Sequence, residues 1–220
     1  MTSTADERTG APDGSRRAGR TGGRRAEILQ RATECFDRLG YANTTLDDIA
    51  RAVGIKREGI YYYFKNRGQI LLEIIEPQSR LLVDGVAAVV EDAALGPREK
   101  FREAIRIHLL HFDRYCLEMT VSLRDGRFEG EPEVRQAMVR LWKEYEASWT
   151  RIIAEGQDRG EFRTIGEPKT LAFAVLGTCN WLARWYDPRK PVTIDALIDS
   201  YTELLSSGLF EQEPAPPSPT

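Results

Sequence analysis

The sequence is poor in the residues that catalysis, secretion and membrane insertion need. Its three cysteines, Cys35, Cys116 and Cys179, are isolated and odd in number, which argues for reduced cytoplasmic thiols and against a disulfide framework or zinc module. Histidine occurs twice, at His108 and His111. Their i,i+3 spacing can chelate a metal, but no third ligand stands nearby, and such a pair on an apolar helix more often packs or lines a cavity. With so few histidines, acid–base catalysis lacks its usual player, although carboxylates are available. There is no P-loop, dinucleotide fingerprint or nucleophile elbow. No enzyme activity, metal or cofactor is therefore expected. No run approaches the roughly 18 apolar residues of a membrane span, and the N-terminus carries no apolar signal-peptide core. A cytoplasmic protein without a membrane partner is expected.

What is present is ordinary in amount and uneven in place. Apolar residues make up 41% and charged residues 30% of the 220 positions, enough for a buried core in one domain or two small ones. The net charge of −3 speaks against nucleic acid until its distribution is followed. Between Ser15 and Arg67 twelve Lys/Arg face six Asp/Glu, a net +6, which leaves −9 on the remainder. A basic head suits local phosphate binding, and an acidic body discourages non-specific contacts.

The stretch TTLDDIARAVGIKREGIYYYFKNR, residues 44–67, concentrates the chemistry of that head. Thr44 and Thr45 can cap a short helix whose first turn holds Asp47 and Asp48, favoured by the helix dipole. Leu46, Ile49, Ala50 and Val53 recur at helical spacing, and Gly54 falls where a C′ glycine ends a helix. A second short helix follows, with Ile60 and Phe64 as i,i+4 partners facing the first. This is a helix-turn-helix pattern. Lys56 and Arg57 stand at the N-terminal end of the second helix. Glu58, Tyr61, Tyr62 and Lys65 fall opposite the Ile60–Phe64 seam, with Tyr63 flanking it. Three consecutive tyrosines cannot all fill one core, because helical neighbours point about 100° apart. Cations and hydroxyls exposed together suit a helix in the DNA major groove, holding phosphates and reading base edges. Gly59 costs about 1 kcal/mol against alanine in a helix, in exchange for close backbone approach.

These residues resemble the DNA-binding domain of the tetracycline-repressor (TetR) family of bacterial regulators. The match falls on Thr44, Thr45, Asp48, Ile49, Ala50, Gly54, Tyr61, Tyr63 and Phe64. The sequence departs from the family pattern with Val53 for a small residue, Lys56 for serine, Glu58-Gly59 for glycine and a small residue or threonine, and Arg67 for lysine. The departures at 56, 58 and 59 leave operator sequence open. The resemblance implies an all-α fold that binds an operator duplex as a homodimer. Its DNA-binding residues would be Thr45, Lys56, Arg57, Glu58, Gly59, Tyr61, Tyr62, Tyr63, Lys65 and Arg67.

Along the chain, residues 1–23 lack a hydrophobic period and are read as a disordered basic arm. The arm either touches phosphates or an adjacent minor groove, or is a solvated tail. From Arg24 a helical period through Ile28, Ala32, Phe36 and Leu39 ends at Gly40 and completes a head spanning residues 24–68. Residues 69–209 form a regulatory and dimerisation body. A helix from near Arg67 is interrupted at Pro77, as a hinge or as static geometry. One helix runs from Arg98 to about Leu123, and another from Glu133 to Gln157 with an aromatic stripe of Trp142, Tyr145 and Trp149. That stripe is core, or the lining of an effector cavity as the resemblance implies. A nearly all-apolar helix from Pro168 to about Tyr186 and a last helix capped by Thr193 suggest a dimer seam. Residues 210–220 form a disordered tail.

The segment around Gly177, Asn180, Trp181, Trp185, Tyr186 and Pro188 is similar to the C-terminal pattern of TetR-family regulators that sense acyl-CoA thioesters. That likeness implies release from the operator by a small hydrophobic effector. His108, Phe112, Trp142, Tyr145, Trp149, Asn180, Trp181 and Arg184 are its candidate ligands, with Asn180 and Arg184 able to meet a carbonyl or phosphate. Asn180, Trp181 and Trp185 serve the dimer seam in the competing reading. A multidrug- or antibiotic-sensing repressor is the alternative function; it would want carboxylates inside an aromatic cavity.

Overall fold

Helices make up most of the backbone described by the computed structural model, which covers residues 14–124, 128 and 130–210, with the side chains of 14–22 left out. Among the described residues there are nine α-helices and one 3-10 turn, and the one β-feature is an isolated bridge between Phe162 and Phe210.

Helix α1 (Gly14–Leu39) starts earlier than the apolar period that begins at Arg24. Residues 14–23, expected as a disordered arm, are helical; residues 1–13 lie outside the described residues. Four glycines in GSRRAGRTGG oppose a helix, but a helix already nucleated downstream extends without a new nucleus. The turn after α1 is fixed by Gly40 (φ 80) and by the buried Thr44 hydroxyl, which donates to Gly40 O at 2.8 Å. Helix α2 (Leu46–Val53) opens on a capping box. Thr45 Oγ1 accepts from Asp48 N at 3.2 Å, and Asp48 Oδ2 accepts from Thr45 N at 3.0 Å. Gly54 adopts φ 74 and ends it. Helix α3 (Arg57–Tyr61) has five residues, so Phe64 lies beyond its end; Ile60 and Phe64 are nonetheless both buried beside Ile28, Phe36 and Ile49.

Helix α4 (Arg67–Glu91) runs unbroken from head to body and contains Pro77, where an interruption was expected. An interior proline costs about 3 kcal/mol, but the same helix buries Ile70, Leu71, Ile74, Ile75, Leu82 and Val86, each contributing about 1.5–3 kcal/mol. Packing outweighs the proline. The single helix expected from Arg98 to Leu123 is two: α5 (Pro97–Arg114) and α6 (Cys116–Arg124), divided at Tyr115 (φ −122, ψ 41).

Helix α7 (Pro132–Asp158) lies along α4, α5 and α8 (Pro168–Asn180). The expected helix to Tyr186 tightens at Trp181–Arg184 into the 3-10 turn, and α9 (Ile194–Leu209), capped by Thr193, packs on α5. Phe210, expected to begin a disordered tail, is buried and stacked on Phe162 at 4.9 Å; residues 211–220 lie outside the described residues. Phe101 and Trp149 complete that aromatic cluster edge-on. Gly156 makes room for it, since a Cβ there would meet the Phe162 ring at 2.3 Å. Among the described residues no helix is long and apolar enough to cross a membrane.

Candidate nucleic-acid interface and interior cavity

The local signals that end α2 and start α3 turn one polar face outward. With Ile60 and Phe64 buried, Lys56, Arg57, Glu58, Tyr61, Tyr62 and Lys65 are all exposed. Tyr62 is 76% accessible and Tyr61 49%. Arg57 donates to Asp47 Oδ2 at 3.0 Å and to the Tyr61 hydroxyl at 3.1 Å. It is thus a held cation whose pKa is raised first by that hydroxyl and then by Asp47. Tyr63 is half-buried, edge-on to Tyr62 at 4.9 Å, and braces the exposed rings from the core side. Thr45 is exposed but spends its hydroxyl on the Asp48 box. A Cβ on Gly59 would meet only the Ile55 side chain, at 3.4 Å and beyond. The nearest atoms to that position are side chain, so packing within the head does not require glycine there.

Arg67 departs from expectation. Its guanidinium turns away from the polar face and donates to the carbonyls of Tyr41 at 3.0 Å and Thr44 at 2.6 Å. It also lies 4.1 Å over the Tyr41 ring. A cation with those partners holds the α1–α2 turn.

In the body the aromatic stripe divides. Trp142 and Tyr145 line a narrow cavity with Met119, Met138, Ser79 and Ser122. Trp149 lies deeper, packed against Phe101 in the core, and Phe112 is fully buried beside Tyr186. His108 reaches the cavity wall through Tyr145: its Nδ1 is 2.7 Å from the Tyr145 hydroxyl, and its buried Nε2 has no partner. Burial pushes the His108 pKa down to about 3, and His111 to about 4, so both rings are neutral. Among the described residues no group of three or more His, Cys, Asp or Glu could hold a metal. The cavity measures about 20 Å³, room for about one water and far below the roughly 300–1,000 Å³ of ordinary ligand pockets. The expected effector cavity is therefore closed here. Its walls include no carboxylate.

Asn180, Trp181 and Arg184 lie elsewhere. Asn180 is half-buried, with an unpartnered Oδ1. Trp181 is 59% accessible, and the Arg184 guanidinium lies 5.7 Å from its ring. Arg184 lines an open cleft of about 460 Å³ with Trp185, Arg124 and Arg189, on the far side of α6 from the cavity. None of the three lines the cavity. Phe173 of α8 and Leu204 of α9 are also exposed, 52% and 66% accessible. The sequence reading missed Ser79 and Ser122; serines on otherwise apolar faces were the available signal.

With this geometry in view, the comparisons with known proteins agree on one family. Residues 28–74 match the family described as bacterial regulatory proteins, tetR family, and residues 94–209 match the tetracyclin repressor-like C-terminal domain. The HTH-type transcriptional regulator EthR of Mycolicibacterium smegmatis is 27% identical over 179 residues, covering 81% of this chain and 78% of that protein. The TetR-family regulator PfmR from Thermus thermophilus superposes with a TM-score of 0.73 at 27% identity, over 82% of this chain and 97% of that one. AibR, solved with isovaleryl coenzyme A and operator DNA, superposes with a TM-score of 0.71 at 24% identity, over 82% and 97%. The C-terminal match alone spans more than half of the sequence, and the chain belongs to the TetR family of DNA-binding transcriptional regulators.

Proposed function

We propose that this regulator is a repressor that binds its operator as a homodimer and is released by a small hydrophobic effector of the acyl-CoA thioester class. The observation that carries the DNA-binding half is the outward set Lys56, Arg57, Glu58, Tyr61, Tyr62 and Lys65 around the buried Ile60–Phe64 seam. Those residues, with the Gly59 backbone, contact phosphates and base edges, while Thr45 and Tyr63 position them. A second copy seats on the exposed apolar residues of the last two helices and the turn after α8, Phe173, Trp181 and Leu204. Two heads must meet half-sites about 34–36 Å apart, so the dimer geometry sets affinity.

The effector half rests on the body. Methionines on two cavity walls repack easily, Ser79, Ser122 and Tyr145 offer polar contacts in a mainly apolar lining, and His108 backs the Tyr145 hydroxyl with a buried Nε2 that has no partner. An effector that enters must prise this closed cavity open, and it releases DNA only through its preference for the opened form. AibR was solved with a coenzyme A thioester and operator DNA together, which supports the class. A cavity wall without carboxylates speaks against a cation-binding multidrug sensor.

A gel shift on the DNA flanking its own gene, repeated with a panel of acyl-CoAs, tests the proposal. Release by one of them, with thermal stabilisation by that compound and none by cationic dyes, is the expected result. Release by cationic dyes alone would overturn the effector class, and no retarded band would overturn the operator role.

A further inference from the structure

We propose that Glu131, immediately before α7, is the positioning residue through which the placement of α7 sets the posture of the helix-turn-helix head. The inference deepens the effector reading above and rests on the body being the regulatory half.

Glu131 belongs to the body but spends its carboxylate on the head. It accepts a hydrogen bond from the Tyr41 hydroxyl and stands 4.0 Å from Arg67. Its Oε2 fills the space over Gly68, where a Cβ would lie 2.0 Å away. Both partners hold the reading head together. Tyr41 sits in the α1–α2 turn, and Arg67 stacks over it and bonds Tyr41 O and Thr44 O, one residue before the Thr45 cap of α2. Gly68 lies in the first turn of α4. One carboxylate therefore grips the start of α2 and the start of α4 together. Tyr41 and Gly68 are buried, and Glu131 is 21% exposed, so these polar contacts are screened less than surface ones.

The mounting of Glu131 is stiff. Its N–H donates to Phe128 O at 3.1 Å, and Phe128 is a buried anchor at φ 42, a left-handed conformation uncommon for a non-glycine residue. Pro132 starts α7 directly after it, and Met138, Leu141, Trp142 and Tyr145 on that helix line the cavity. Met138 is two turns from Glu131, about 10 Å along the axis. Whatever forces the cavity open moves the rod whose end holds the head. A second tie between head and body, Arg124 to Asp37 at 3.4 Å, joins side chains 45% and 35% exposed, and such pairs are weak.

Amide hydrogen exchange over residues 41–67 of the full chain tests this without needing either ligand. Met138→Trp overfills the cavity from the α7 side, and Trp142→Ala empties it. At least one should change exchange over 41–67 by about 5-fold or more, the low end of ordinary coupling. In Glu131→Ala, and in Gly68→Ala whose methyl expels the carboxylate, the same substitutions should change it by less than about 2-fold. Tyr41→Phe, which deletes one hydroxyl, serves if Glu131→Ala does not fold. Arg80→Gln, which breaks the exposed α4–α7 pair with Glu144 at 2.5 Å, should leave the response intact. An undiminished response without the Glu131 contact, its loss in Arg80→Gln as well, or no response in the wild-type background would overturn the role of Glu131. Octanoyl-CoA added to the wild-type chain decides a separate matter: failure to stabilise it counts against the thioester class, while the substitution series still decides Glu131.

Discussion

The head and the body are both helical, yet different kinds of interaction fix them. In the head, structure is set within a few residues: the Thr45–Asp48 box, left-handed Gly54 and the Ile60–Phe64 pair each act locally. In the body, helices are placed by partners far away in sequence, such as Tyr186 with Asp113, His108 with Tyr145, and Phe101 with Phe162 and Phe210. Local rules fix which side chains the head turns outward. Long-range packing makes an interior whose contents depend on every helix at once.

The contrast can be broken first at the outer face of the body. Leu204→Glu, at a residue 66% accessible in the single chain, should leave the fold intact and separate the dimer. Sedimentation should report monomers, and operator affinity should fall by about 100-fold or more as paired half-site binding is lost. An unchanged dimer would remove α9 from the seam.

Next come the two glycines. Gly156→Ala drives a methyl into the Phe162 ring at 2.3 Å and should lower unfolding free energy by about 1–3 kcal/mol, the ordinary cost of overpacking. Gly59→Ala meets only a side chain, at 3.4 Å, and should be neutral or up to about 1 kcal/mol stabilising by helix propensity. Operator binding by Gly59→Ala should nonetheless weaken. Urea unfolding of the two variants, read beside gel shifts, separates a packing glycine from a docking one. If Gly59→Ala destabilised as much as Gly156→Ala, the open surface assigned to α3 would be wrong.

Acid should act on the body. The fully buried His108, with its pKa pushed down to about 3, takes up a proton on unfolding once pH drops below the ordinary histidine value of about 6.5. Its contribution is therefore complete above about pH 6.5 and declines as pH falls toward the folded value. The slope is up to about 1.4 kcal/mol per pH unit. Urea midpoints between pH 7 and 5 should fall less steeply in His108→Phe than in the wild type; parallel curves would contradict the neutral buried ring. Smaller still, Thr45→Ala should cost about 1 kcal/mol, seen as a lower melting temperature at neutral pH.

The same division explains what could be read from the sequence. The helix-turn-helix, its cap, its glycine and the outward tyrosines were legible because each depends on neighbours within four or five residues. The bracing role of Arg67 was not legible because its carbonyl partners, Tyr41 and Thr44, lie more than twenty residues earlier. The continuity of α4 through Pro77 and the division of α5 from α6 at Tyr115 depend on packing that periodicity does not encode. The aromatic stripe was legible as a stripe. That Trp142 and Tyr145 face a cavity while Trp149 faces the core was not, because α4 and α6 supply the other walls and Phe101 of α5 takes Trp149. Glu131 gave no signal at all, since a lone glutamate ahead of a helix is unremarkable until Tyr41 and Gly68 fold against it.

The proposed DNA recognition rests on the exposed residues of α3 and its flanks, and the dependence of DNA affinity on salt measures that face directly. Fluorescence anisotropy of a labelled duplex, titrated across sodium chloride concentrations with wild-type chain and with Lys56→Ala/Lys65→Ala, is the measurement. Wild-type affinity should fall steeply with salt, and the double variant should bind more weakly with a logarithmic slope reduced by about 2, one unit per phosphate contact. Equal slopes for the two proteins, or an affinity indifferent to salt, would contradict it.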